Sequence, residues 1–259
     1  MSHGPNIWIA VPCYNEAVRL NADAFVDFIS THLDYGFVFI NDASTDATAD
    51  VIEAIVNRFP THARALMLGE NVGKAEAVRL GMLSVMNDAN VVGYFDADLA
   101  TPLDELPRLR AELDDASVDM VLGSRVRLLG RTITRRALRH YVGRVFATAA
   151  SLTLGLNVYD TQCGAKLLRV GPWLERALRE PFCGRWVFDV ELIGRYMRLT
   201  NRRRYPDEPC GIIEVPLRVW HDVAGSALRP TDFFRAFRDL WRIRRALRNW
   251  EPEARKKSS

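Results

Sequence analysis

Tyr94-Phe95-Asp96-Ala97-Asp98-Leu99-Ala100-Thr101-Pro102 is the stretch that decides the fold. The apolar run Val91-Val92-Gly93-Tyr94-Phe95 stops abruptly at two carboxylates one residue apart. A short continuous apolar run of this kind reads as a buried parallel strand. Its end is where an open α/β sheet places ligands. Asp96 and Asp98 can share one hard divalent cation, Mg2+ or Mn2+, which favours carboxylate and phosphate oxygens. A solvated turn is the simpler alternative for an Asp-X-Asp, but the buried strand directly before it favours the metal.

The preceding sequence repeats the same logic. Ile7-Trp8-Ile9-Ala10-Val11 ends in Pro12-Cys13-Tyr14-Asn15-Glu16, and Phe37-Val38-Phe39-Ile40 ends in Asn41-Asp42-Ala43-Ser44-Thr45-Asp46. Ala65-Leu66-Met67-Leu68 ends in Gly69-Glu70-Asn71-Val72-Gly73-Lys74. Helical patterns follow the four strands, at roughly 16–34, 45–59, 74–87 and 104–115. The alternation predicts βαβ units and a mainly parallel sheet. Right-handed crossovers then line the polar strand ends along one edge. Thr45 is expected to cap the second helix, leaving Asp42 for a ligand.

The chain has 259 residues, 48% of them hydrophobic, enough for one large α/β core. Its four cysteines, Cys13, Cys163, Cys183 and Cys210, show no paired or zinc-binding spacing and read as reduced thiols. No signal peptide is visible, and no segment reaches the ~18–20 apolar residues of a membrane span. The net charge of +3 is unevenly spread. Residues 125–144 hold seven arginines and no acid, and residues 229–257 hold ten basic and four acidic residues. Two basic patches suit an anionic partner such as lipid phosphate or membrane headgroups. Neither comes with a nucleic-acid motif, so a nucleic-acid partner is not expected.

Taken together, Val11-Pro12-Cys13-Tyr14-Asn15-Glu16, the Asn41-to-Asp46 cluster, Asn71-Val72-Gly73-Lys74 and Asp96-Ala97-Asp98 resemble family 2 glycosyltransferases of the GT-A fold. The continuation narrows the resemblance. Asp98-Leu99-Ala100-Thr101-Pro102, Gly123-Ser124-Arg125, Asp160-Thr161-Gln162-Cys163-Gly164-Ala165-Lys166 and Phe188-Asp189-Val190-Glu191 look like dolichyl-phosphate glucosyltransferases, with dolichyl-phosphate mannose synthases as near relatives. It covers about residues 7 to 228.

The resemblance implies an α/β, GT-A (Rossmann-like) fold and inverting, metal-dependent transfer of a hexose from a nucleotide-diphosphate sugar to a polyprenyl phosphate. UDP-glucose is the expected donor. GDP-mannose, or transfer to a glycan hydroxyl, are the alternatives. Pro12, Tyr14, Asn15, Glu16, Asp42, Gly73, Lys74, Asp96 and Ala97 are expected on the nucleotide sugar. Asp96, Asp98 and His221 are the candidate metal ligands. Asp98, Asp189 and Arg125 are the candidate catalytic groups, and Arg131, Arg135, Asp160, Gln162, Ser226 and Arg229 the acceptor contacts. Arginine's planar fork matches phosphate oxygens in pairs. A phosphate acceptor needs no general base, because it is mostly anionic at pH 7 with a second pKa of about 6. Relatives commonly carry Gly-Ser-Lys where this chain has Gly225-Ser226-Ala227, so Arg229 is the expected replacement for the missing lysine.

Three regions are expected: a glycosyltransferase domain over 1–228, a basic amphipathic helix over 229–250 and a disordered tail over 251–259. In Thr231 to Trp250, Phe233, Phe237, Leu240, Trp241 and Leu247 recur at helical spacing among arginines. That is the pattern of an interfacial membrane helix, with packing on the protein body or on a second subunit of a homodimer as the alternative. The expected location is therefore cytoplasmic and peripheral, at the inner face of the membrane.

Overall fold

Residue alternation in the first strand, β1 (Ile7–Cys13), sets up the two faces of the sheet. Ile7, Ile9, Val11 and Cys13 join one apolar cluster, and Trp8 and Ala10 join the other. This is the period of two that strand geometry imposes, with both faces buried. The computed structural model describes residues 4–134, 137–200, 211–223 and 230–250, and the elements below lie within them.

After β1 come α1 (Ala22–Thr31), β2 (Tyr35–Asn41), α2 (Thr48–Arg58), β3 (Ala63–Met67), α3 (Lys74–Val85), β4 (Val91–Phe95), α4 (Leu106–Ala111) and β5 (Met120–Ser124). Next are β6 (Thr132–Thr134), α5 (Ala137–Leu154), β7 (Ala165–Arg169), α6 (Pro172–Leu178) and α7 (Phe188–Thr200). The chain closes with β8 (Ile212–Pro216), β9 (Val219–His221) and α8 (Pro230–Asn249). The central sheet has the order β3-β2-β1-β4-β7-β5-β8, and β6 pairs with β9 in a separate ribbon. One face is covered by α1, α2 and α4, the other by α3, α6 and α7.

The sheet is parallel except at β7, which runs antiparallel to both β4 and β5. This refines the expectation of strand ends along one edge. β7 reaches that edge with its first residue, since Phe95 of β4 faces Ala165 of β7. The segment Asp160–Gly164 therefore meets the Asp96–Asp98 turn by entering the sheet.

Three details differ from expectation. Helix α2 starts at Thr48 with no side-chain cap from Ala47, and Asp46 Oδ1 instead accepts the Thr48 N–H at 3.0 Å. Thr45 is not the cap: its N–H donates to Asn15 Oδ1 at 2.8 Å. Helix α6 and the β6–β9 ribbon add elements that short, irregular patterning did not announce. Cys210, the expected tail over 251–259, and the site residues Arg135, Ser226 and Arg229 lie outside the described residues.

Candidate active site

Hydrogen bonds between loops build the donor side of the cleft. Asn15 N–H donates to Ser44 Oγ at 3.0 Å, Glu16 N–H to Thr48 Oγ1 at 2.8 Å and Ala17 N–H to Asp46 Oδ2 at 3.2 Å. The loop after β1 is thereby fastened to the loop after β2. Asp42 fastens the next one, accepting from Val72 N–H at 2.7 Å and Gly73 N–H at 2.9 Å. Both oxygens of the carboxylate expected on the nucleotide thus hold the loop that delivers Lys74. Lys74 Nζ then reaches Asp96 Oδ1 at 2.5 Å.

Backbone strain collects at the same edge. Among the described residues, the non-glycine positions with positive φ are Asn15 (53°), Ala43 (54°) and Leu99 (48°), which follow β1, β2 and β4. A left-handed non-glycine residue persists only where its surroundings over-determine it, and such residues cluster at ligand sites. Gly164 is required for a different reason. A Cβ there would lie 2.0 Å from Asp96 Oδ2, so only glycine lets β7 approach the carboxylate pair. Asp96 N–H donates to the Gly164 carbonyl at 3.1 Å.

Burial and mutual repulsion act on the carboxylates of this edge. Burial, then the Asp96 charge, pushes the Asp98 carboxyl above its ordinary range. Burial also raises Glu16, with Asp98 and Asp96 adding to the rise against Arg19. Arg19 holds Glu16 Oε1 at 2.5 Å, while the buried Oε2 has no hydrogen-bond partner. For Lys74, burial opposes the charge, yet Asp96 holds its pKa above the usual lysine value. Two carboxylates one residue apart at a strand end, one of them partly exposed and ion-paired with Lys74, have the oxygen chemistry a hard divalent cation prefers. His221 does not complete a trio with Asp96 and Asp98. Among the described residues no group of three His, Cys, Asp or Glu side chains is arranged to hold a metal. The exposed His221 meets this loop through its backbone, its N–H donating to the Ala100 carbonyl at 2.9 Å.

The acceptor side is held by charge pairs. Arg125, just past β5, grips Asp160 with Nε to Oδ2 at 2.6 Å and Nη2 to Oδ1 at 2.7 Å. Asp160 is held in turn by Glu214, which accepts the backbone N–H groups of Tyr159 and Asp160 at 2.7 and 2.8 Å. Burial opposes the guanidinium charge, yet the Asp160 carboxylate holds the Arg125 pKa above the usual arginine value. Arg131 is half-buried at the start of the β6–β9 ribbon.

Asp189 is enclosed. Its Oδ1 accepts from Tyr94 Oη and pairs with Lys166 Nζ at 2.9 Å, and Gln162 Nε2 donates to Oδ2 at 3.3 Å. Burial pushes the Asp189 carboxyl up and the Lys166 ammonium down, while their contact at 2.9 Å favours the charged pair. The carboxylate expected among the catalytic groups thus has three side-chain partners, Tyr94, Lys166 and Gln162. Lys166 is fully buried and sits beside Tyr94 in the β4–β7 register.

Buried thiols match expectation for two cysteines. Cys13 and Cys163 are free and buried, and burial raises both pKa values, that of Cys163 to about 11. Cys183 is free and exposed.

The glycosyl transferase family 2 profile matches residues 8–173, the span that carries the sheet edge and both carboxylate loops. The chain belongs to glycosyl transferase family 2. It is 31% identical to a dolichyl-phosphate beta-glucosyltransferase of Drosophila melanogaster, across 91% of this chain and 73% of that one. It is 28% identical to an undecaprenyl-phosphate 4-deoxy-4-formamido-L-arabinose transferase of Shewanella sediminis, across 65% of this chain and 50% of that one. Among solved structures, it resembles a glucosyl-3-phosphoglycerate synthase of Mycobacterium tuberculosis, crystallised with Mn2+, UDP-glucose and phosphoglyceric acid. That likeness, at TM-score 0.67 and 19% identity over 93% of this chain and 80% of the other, establishes the shared GT-A fold.

Within this family 2 site, the sequence reading missed roles for Tyr94, Lys166 and Glu214. Lys166 left a signal, since a lysine inside Ala165-Lys166-Leu167-Leu168 occupies a core position and demands a buried counter-charge. Tyr94 left none, because a tyrosine in an apolar strand is ordinary core.

Proposed function

We propose that the protein transfers glucose, with inversion, from UDP-glucose to a polyprenyl phosphate at the cytoplasmic face of a membrane. The observation that carries this reading is the enclosure of Asp189. Transfer to a sugar hydroxyl calls for a free carboxylate to take the proton. The buried candidate on the acceptor side is committed to Lys166, Tyr94 and Gln162. A phosphate monoester needs no such base, because it arrives largely ionised near neutral pH. The names of the relatives, which include lipid-phosphate sugar transferases, support the same acceptor class.

Asp96 and Asp98 would hold a Mg2+ or Mn2+ ion, which would offset negative charge on the departing diphosphate. The chain's own groups do the rest. Lys74 places an ammonium at the donor carboxylates. Arg125, fixed in orientation by Asp160, presents guanidinium charge to the acceptor phosphate. Asp189 and Gln162 brace the floor between the two halves. Arg131, Arg135, Ser226 and Arg229 are proposed to extend the acceptor contacts.

A thermal-shift panel of UDP- and GDP-sugars with Mn2+ tests the donor, since a ligand that binds the native state alone raises Tm. UDP-glucose is expected to give the largest rise, and Asp98→Asn to abolish it. A rise with GDP-mannose and none with UDP-glucose would overturn the donor assignment in favour of mannosyl transfer.

A further inference from the structure

Helix α8 has two apolar faces. Leu240, Ile243 and Leu247 are buried with Phe146 and Ala150 of α5 and with Val187 and Val190 of the α7 region. The packing is tight: a Cβ on Gly194 of α7 would come within 2.3 Å of Leu247. The stripe that the sequence offered as either membrane-facing or packed is therefore divided. Its Leu240 and Leu247 anchor the helix, while Phe237 and Trp241 remain 40% and 62% exposed.

The exposed apolar side chains gather here. Of the eleven large hydrophobic residues exposed among the described residues, five lie on α5, α8 and the loop before α7: Val145, Leu152, Trp186, Phe237 and Trp241. Phe237 meets Phe146 of α5 ring to ring, at 6.2 Å between centroids. Around them Arg235, Arg238, Arg242, Arg244, Arg245 and Arg248 of α8 are all exposed. Large aromatic surface rimmed by arginine matches a boundary that is apolar on one side and anionic on the other.

This face adjoins the site. Gly184 lies against Asp239 of α8, with its Cβ direction 3.7 Å from the aspartate side chain. The next residue, Arg185, donates to the Asn71 carbonyl and to Asn71 Oδ1 at 3.0 Å each, and its own carbonyl accepts from Ala75 N–H at 3.2 Å. The following residue is the exposed Trp186. One short loop thus joins α8, the exposed aromatic surface and the loop that delivers Lys74.

We propose that α8, with the exposed row of α5 and Trp186, is the face on which this protein docks to an anionic lipid bilayer. Trp241, Phe237 and Trp186 enter the interface and the α8 arginines meet the headgroups. The inference builds on the lipid-acceptor reading above, and supplies how the cleft mouth is brought to a substrate that stays in the membrane. Among the described residues no helix is long and apolar enough to cross a membrane.

Full-length protein is floated with phosphatidylcholine vesicles, with and without phosphatidylglycerol, and compared with Trp241→Glu and with the double variant Arg242→Gln, Arg245→Gln. Neither variant touches Leu240, Ile243 or Leu247, and circular dichroism and melting confirm that α8 stays packed. The unaltered protein is expected to float with anionic vesicles only. Each arginine removed should lower partitioning roughly fivefold, and Trp241→Glu should nearly abolish it. Transfer to a short, water-soluble prenyl phosphate should be unchanged in both variants. Equal flotation with neutral and anionic vesicles, or full binding by Trp241→Glu, overturns the proposal. So does sedimentation showing that Trp241→Glu splits a dimer while the unaltered protein ignores vesicles, which would make this face a subunit contact. If the unaltered protein binds vesicles but transfers nothing to the soluble phosphate, the lipid-acceptor reading fails and the docking face stands.

Discussion

The two sides of the cleft are held together by different forces. On the donor side, Asn15, Ser44, Asp46 and Asp42 take or give hydrogen bonds to loop backbone, and three left-handed residues fix the turns. On the acceptor side, buried charge pairs do the holding: Arg125 with Asp160 and Lys166 with Asp189. Backbone clamps set shape locally and shift little with ionic conditions. Each member of a buried pair becomes a liability when its partner is lost. The donor side should therefore yield gradually to substitution, and the acceptor side sharply.

The largest expected effect falls at the donor carboxylate pair, where the loss is of a charge that acts on the reaction and not of a loop clamp. Asp98→Asn should lower transfer at least about 100-fold, the scale for losing a transition-state charge stabiliser, with little change in melting temperature. Near-normal turnover in saturating Mn2+ would remove Asp98 from the metal site.

Next comes the acceptor side. Lys166→Met leaves the Asp189 carboxylate buried beside Tyr94 without its counter-charge, which should destabilise the fold by about 3–5 kcal/mol. Lys166→Met combined with Asp189→Leu should recover much of that loss, because replacing a whole buried pair by apolar groups is often close to neutral. Denaturant unfolding of the single and double variants measures both. A single variant as stable as the parent would end the contrast between the two sides.

The donor side should respond more mildly. Asn15→Ala removes the acceptor for the Thr45 N–H and places a Cβ-bearing residue with no local hydrogen bond at φ 53°. A loss of about 1 kcal/mol is expected, together with a raised KM for the nucleotide sugar and an unchanged KM for the acceptor. If the acceptor KM moved instead, the loop assignment would be wrong.

The smallest effect is a pH dependence. The Thr48 hydroxyl, more than the burial that opposes it, holds the Asp46 carboxyl below its ordinary pKa. A depressed native pKa stabilises the fold above the ordinary carboxylate pKa, and that stabilisation disappears as pH falls through the native value. Asp46→Asn should therefore melt slightly below the parent from pH 5 to 8, and the gap should close below about pH 4. A gap that widened in acid would reverse the sign of this contact.

The same contrast explains what could be read from the sequence. The donor edge was legible because each motif sits directly behind an apolar strand, and the parallel alternation brings those strand ends together. The Asp160–Lys166 segment was recognisable by resemblance, but its placement depends on β7 running antiparallel, which nothing in a five-residue strand signals. Enclosure of Asp189 by Tyr94 and Gln162, residues 95 and 27 positions away, is a product of packing alone. Helix α8 was legible as amphipathic, yet its division into a packed face and an exposed one depends on what α5 and α7 present to it.

Side-by-side transfer of radiolabelled glucose from UDP-glucose tests the central claim most directly, with polyprenyl phosphate in one reaction and free saccharides in the other. Label should enter the lipid phosphate, released by mild acid as glucose, at a rate far above that of any saccharide. Faster labelling of a saccharide hydroxyl would contradict the account, and would require a free base where Asp189 is now enclosed.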